Sequence, residues 1–259
     1  MIIKLKKLAV LMFFVGSIIL PGFSQDKPDT QGKSAKVTVL CYHTFLGSGK
    51  YPTDFSMAEF REQIETLKNN GFNFISISDF LGGSISGDKN ILLTIDDGSE
   101  SVYRVYNDIL KPLDIKPLLA IYPAIIGVKK YALTWEQLKE LSDAGCSVAS
   151  HGFFHEKIDK KLFDLSEQRF MYEIINSKKM LEEKTGRKIE VFSYPFGLKS
   201  GETVEALKKN GYKAAFTIDG GICRFPLKND NTIFDLPRYM ITRTTWKSTF
   251  DKVFKKTSK

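Results

Sequence analysis

Two adjacent carboxylates, Asp96 and Asp97, follow the apolar run from Ile91 to Ile95, and two of the three histidines in the chain, His151 and His155, stand four residues apart. Two neutral imidazoles and one carboxylate make a three-ligand divalent metal site with an open position, which is the arrangement of catalytic rather than structural metals. The carboxylate left over can take a proton from water activated there. Together these residues read as a metal-dependent hydrolase. Each part also has a plainer reading. Asp-Asp-Gly98 suits a turn that closes a strand, and a histidine pair can simply be solvated.

Rival metal chemistries are narrowed by single positions. A zinc peptidase with paired histidines needs Glu directly after the first, and here that residue is Gly152. An iron oxygenase also uses two histidines and a carboxylate, but has no need of a second carboxylate as base. The spacing places both rings on one face of a helix, or on either side of a tight strand-to-helix turn.

The elements that must position these groups alternate along the chain. Short apolar or β-branched runs predict strands at 37–42, 73–77, 91–95, 118–122, 146–150, 190–193, 213–218 and 236–241. Between them lie segments with apolar residues at helical spacing. Ser56 with Glu59 and Thr134 with Gln137 have the form of capping boxes, Ser166 can cap a longer helix ending at Gly186, and Val204 and Leu207 mark another ending at Asn210-Gly211. Repeated βα alternation in 259 residues predicts a single α/β domain with a parallel, barrel-like sheet. His43 then follows the first strand, Asp96 and Asp97 the third, His151 the fifth and Pro195-Phe196-Gly197 the sixth. Those strand ends share one face of a parallel barrel, where active sites are built.

In that order the motifs resemble the polysaccharide deacetylases, also called NodB-homology domains or carbohydrate esterase family 4. Thr94-Ile95-Asp96-Asp97-Gly98 is similar to the family's Thr-Phe-Asp-Asp-Gly motif, and Ser150-His151-Gly152-Phe153-Phe154-His155 to its His-x-x-x-His motif. Ser193-Tyr194-Pro195-Phe196-Gly197 is similar to its Arg-x-Pro-Tyr-Gly motif. The resemblance spans roughly residues 37–241. It implies a distorted (β/α)7 barrel, Asp97, His151 and His155 as metal ligands, Asp96 as general base and the Phe196 N–H as oxyanion donor. Zinc is the implied first choice of metal, with Co, Mn, Ni or Fe also compatible with the ligand types.

Two positions depart from the family pattern. Ser193 stands where many members have an arginine that orients the base, and 236–243 lacks the histidine many use as general acid. Arg238 is the candidate to replace the arginine by pairing with Asp96, with surface solvation as the alternative. The branch resembling poly-N-acetylglucosamine deacetylases places its acid on a histidine after the first strand, which His43 matches. A histidine that only hydrogen-bonds a loop is the other reading.

The implied reaction removes N-acetyl groups from a hexosamine polysaccharide and releases acetate. Peptidoglycan, chitin-like or acetyl-xylan chains would suit the same centre, and a noncatalytic carbohydrate binder is the reading from another class. Tyr51, Phe55, Tyr131 and Trp135 are candidates to stack on sugar rings, against core packing.

The N-terminus carries Lys4, Lys6 and Lys7, an apolar stretch from Leu8 to Leu20 and then Pro21-Gly22-Phe23-Ser24. This has the form of an export signal over 1–24, its apolar core short for a membrane span, with an uncleaved anchor as the alternative. A flexible segment is expected over 25–35 and the barrel over 36–259, with the mature protein periplasmic, secreted or on the cell surface. A formal charge of +8 without a basic cluster interleaved with aromatics makes nucleic acid an unsuitable partner. A monomer is expected. Cys41, Cys146 and Cys223 read as buried free thiols, with one disulfide as the alternative.

Overall fold

The computed structural model describes residues 34–228 and 230–257. In the first half, β1 (Ala35–Tyr42) leads to α1 (Met57–Asn69), β2 (Asn73–Ile75) to α2 (Ile77–Gly82), β3 (Gly87–Asp97) to α3 (Ser101–Val105), and β4 (Leu118–Ile121) to α4 (Trp135–Asp143). The second half runs β5 (Ser147–Ser150), α5 (Lys160–Leu165), α6 (Glu167–Thr185), β6 (Val191–Ser193), α7 (Gly201–Lys209), β7 (Ala214–Phe216), β8 (Cys223–Phe225), β9 (Tyr239–Met240) and α8 (Trp246–Thr257).

The sheet is parallel in the order β7-β6-β5-β4-β3-β1 and curls back on itself through 236–240. Leu236 bridges to Phe216 at the end of β7, and three residues later β9 begins and pairs with Leu40 and Cys41 of β1. With that run as the seventh member, the sheet is the distorted (β/α) barrel expected from the sequence. Below the ring, β2 adds to the start of β3, and β8 lies antiparallel on the start of β1.

Strand parity decides what faces the lumen. Val39, Leu92, Leu118, Ala120, Ala149, Val191 and Ala214 form an inner cluster, whereas Leu40, Leu93, Ile95, Leu119, Ile121, Phe192 and Ala215 pack outward under the helices. Leu92, Thr94 and Asp96 alternate along β3, as do Val39 and Cys41 along β1. Asp96 and Cys41 therefore face the same interior.

The anticipated caps form: Ser56 with Glu59 and Thr134 with Gln137 are reciprocal boxes, Ser166 caps α6, and Gly186 ends it at φ +70°. The strand expected over 73–77 stops at Ile75, because Ser76 and Asp79 cap α2 within the same apolar run. The strand expected over 236–241 shrinks to Tyr239–Met240. Sequence periodicity missed β8, α2, α3, α5 and α8.

The export signal expected over 1–24 lies outside the described residues, as does most of the flexible stretch expected over 25–35. Its last residue is corrected, since Ala35 already begins β1 and is buried by pairing with Gly87. Among the described residues no helix is long and apolar enough to cross a membrane. All three cysteines are free and buried.

Candidate active site

Asp96 reaches the lumen near the top of β3, where Arg238, just ahead of β9, meets it. Arg238 Nη1 donates to Asp96 Oδ1 and Nη2 to Asp96 Oδ2, both at 2.8 Å. The other donors of the guanidinium go to Thr217 O from Nε, Thr94 Oγ1 from Nη1 and Ser193 Oγ from Nη2. Every N–H of the fork is thus used, which is what burial of the guanidinium requires. Ser193 Oγ and the Cys41 thiol donate further to Asp96 Oδ2, at 3.3 and 3.4 Å.

Burial alone would raise the Asp96 pKa, but Arg238, with help from His151, holds it well below the usual carboxylate range. The adjoining Cys41 thiol is pushed well up, chiefly by burial. Asp96 is therefore a fixed carboxylate and Cys41 a neutral thiol.

Asp97, one residue on, has a left-handed backbone at φ +76°, which breaks the strand and swings its side chain to the rim. His151 directly follows β5, and its Nδ1 lies 2.7 Å from the carbonyl of Ser193. A carbonyl only accepts, so Nδ1 carries the proton and the Nε2 lone pair points out. That Nε2 and His155 Nε2 each lie 3.6 Å from Asp97 Oδ1. The two histidines sit neither on a helix face nor at a strand-to-helix turn: 151–158 is irregular, and His155 takes φ +63°. The i, i+4 spacing works here because the loop doubles back and brings the rings 4.7 Å apart.

Burial, then the neighbouring His151, pushes the His155 pKa down to about 4. Its nitrogen is an available lone pair at neutral pH. Asp97 Oδ1 is buried without a hydrogen-bond partner, although buried carboxylate oxygens are ordinarily satisfied. One orphaned oxygen facing two imidazole nitrogens, with all three ligand atoms within 4.8 Å of one another, fits a divalent cation.

His43 lies beyond the end of β1, grouped with Cys41 and Asp96 within 4.8 Å, and its Nδ1 is buried and unpaired. The structure therefore brings His43, Asp96, Asp97, His151, His155 and Arg238 to one mouth. Phe196 joins them from the turn after β6, with φ +60° and its ring centred 4.6 Å from His155. Of the aromatics considered for sugar stacking, Tyr51 and Tyr131 are exposed, whereas Phe55 is 1% exposed and belongs to the core beside Tyr42. Phe154 and Tyr172, stacked at 14° and both exposed near the site, were missed. Glu173 was missed too. Its signal was a carboxylate on the otherwise apolar or small buried face of α6, with Phe170, Ile174, Ser177 and Leu181.

A family model for polysaccharide deacetylase matches residues 84–215. The chain belongs to the polysaccharide deacetylase family. It is thus a hydrolase of the deacetylase class. It is 28% identical over 193 residues to YxkH of Bacillus subtilis, provisionally named a polysaccharide deacetylase, covering 73% of this chain and 67% of that protein. It is 24% identical over 212 residues to poly-β-1,6-N-acetyl-D-glucosamine N-deacetylase of Staphylococcus aureus, covering 76% of this chain and 72% of the relative. The solved structure of IcaB from Ammonifex degensii superposes with a TM-score of 0.73 at 28% identity, covering 84% of this chain and 97% of that one. Within the family pattern, the arginine beside Asp96 arrives from 238 rather than 193, with Ser193 as its hydrogen-bond partner.

Proposed function

We propose that this deacetylase removes N-acetyl groups from a poly-N-acetylglucosamine-like polymer outside the cytoplasm, releasing acetate and leaving a free amine. The observation that carries this reading is the pairing, at one mouth, of the Asp97, His151 and His155 trio with the Arg238-bound Asp96. The named relatives supply the substrate class, and the export signal expected over 1–24 agrees with an envelope polymer.

Asp97 Oδ1, His151 Nε2 and His155 Nε2 would hold a divalent cation, with zinc as first choice, and such an ion would supply Lewis-acid polarisation of the acetyl carbonyl and acidify a water molecule. Asp96 accepts the proton from the attacking water at Oδ2, the oxygen 3.9 Å from His151 Nε2. Arg238 keeps that carboxylate ionised and fixes its plane, so proton transfer needs no search over rotamers. The Phe196 N–H donates to the oxygen that becomes negative. His43 then gives a proton to the leaving nitrogen, without which an amine is a poor leaving group. The exposed rings of Phe154, Tyr172 and Phe196 offer apolar faces on which the sugars flanking the reacting residue stack.

Acetate release from β-1,6-linked N-acetylglucosamine oligomers tests the reading, with chitooligosaccharides and acetyl-xylan as competing substrates. The β-1,6 oligomer is expected to be preferred, and turnover to stop on chelation and return with zinc. Activity that survives both chelation and Asp96→Asn overturns the mechanism. Preference for another polymer overturns the substrate. A protein that binds oligomers with its cation in place but hydrolyses none is a binder.

A further inference from the structure

Between the two histidines the chain runs Gly152-Phe153-Phe154, and it wraps around one buried side chain from α6. Glu173 Oε2 accepts the N–H of Phe153 at 2.7 Å and that of Phe154 at 3.0 Å, while Oε1 accepts Phe154 at 3.1 Å. Gly152, at φ +74°, lies so close that a Cβ there would stand 2.6 Å from Glu173 Oε2. Successive backbone N–H groups turned toward one anion form a nest, here closed around an internal carboxylate.

The two histidines depend on this nest unequally. The His151 ring has its own anchor in the Ser193 carbonyl. His155 is surrounded by ring faces instead, with Tyr122 at 5.1 Å, His151 at 4.7 Å and Phe196 at 4.6 Å between centroids. Ring contacts of this kind limit translation but do not fix where a nitrogen points. The aim of Nε2 is therefore set by the backbone, and that backbone is in the left-handed region, which a residue with a Cβ leaves unless surrounding bonds hold it.

We propose that Glu173 is the positioning residue for His155: its carboxylate gathers the N–H groups of the loop and thereby holds the third cation ligand in a conformation it would not otherwise keep. The proposal rests on the cation-site reading above. Glutamine is the informative replacement. It keeps shape, but its amide is neutral and puts an NH2 group where one carboxylate oxygen accepts an N–H, so that donor faces donor there.

The test compares Glu173→Gln with wild type in two measurements. Zinc affinity, read by competition with a chromophoric chelator, is expected to fall by roughly 10–100-fold, the range for groups that orient a ligand from outside the coordination sphere. Hydrogen exchange of the Phe153 and Phe154 amides in the metal-free protein is expected to speed up. Thr185→Ala is the stability control, because it removes a hydrogen bond from the same helix far from the loop, and it should leave both readouts unchanged. In a His155→Ala background, Glu173→Gln should change zinc affinity less than threefold. Full additivity there, unchanged amide exchange, or equal weakening by Thr185→Ala overturns the assignment. If the wild type binds no cation, the site reading fails by itself, and the amide exchange still decides whether Glu173 holds the loop.

Discussion

The inner half of the site, where Asp96 meets Arg238, and the outer half, where Asp97 meets two histidines, use the same residue type in opposite ways. Asp96 is 2% exposed and arrives with its own cation, so its charge is balanced within the fold. Asp97 has a buried oxygen with no partner and two imidazole nitrogens in front of it. The inner carboxylate is complete without a ligand; the outer trio lacks a positive charge. Burial and counterion, not residue type, set the two carboxylates apart.

Substitutions in the two halves should therefore fail differently. Asp97→Ala or His151→Ala removes cation binding, and acetate release should fall roughly 10⁴-fold or more, since several kcal/mol of charge stabilisation go with the Lewis acid. Bound zinc counted by atomic absorption should fall with it. Asp96→Asn should cost about 10²–10⁴-fold in kcat while the zinc count stays at wild-type level. Loss of zinc in that variant would break the division.

Arg238→Ala belongs to stability as much as to catalysis. It leaves a buried carboxylate without its partner, and urea unfolding should show a loss of about 3–5 kcal/mol. His43→Gln should lower kcat on the amide by roughly 10²-fold. On 4-nitrophenyl acetate, whose leaving group needs no proton, the same variant should act almost as wild type.

The smallest effect lies in pH dependence. In the metal-free protein His155 has a pKa of about 4, against about 6.5 when unfolded. Between those values the unfolded chain binds the extra proton, so stability is full above pH 6.5 and falls as pH drops toward 4. Asp96, held below the ordinary carboxylate range, loses its stabilisation only at lower pH still. His155→Ala should flatten the slope of urea stability between pH 6 and 4 by at most about 1.4 kcal/mol per pH unit. An unchanged slope would show that His155 is not shielded as its burial implies.

Much of this division was legible in advance because it follows from local pattern. Asp-Asp-Gly at the end of an apolar strand, the histidine pair and the capping boxes involve residues within a few positions of one another. Phe55 stayed between two readings because an aromatic near a loop reads the same whether its ring meets sugar or core, and the structure places it in the core. Glu173 was hidden because a carboxylate on an apolar helix face has meaning only when the loop it serves is known.

The sequence by itself determined the alternation of strands and helices, the placing of reactive residues at strand ends and the ligand types, since these depend on side-chain period and chemistry along the chain. Only the tertiary structure decided that Arg238 pairs with Asp96 across 142 positions, and that a doubled-back loop rather than a helix presents His155. Charge pairing and backbone strain depend on which segments the closed barrel brings into contact, and that contact is not encoded in any local run of residues.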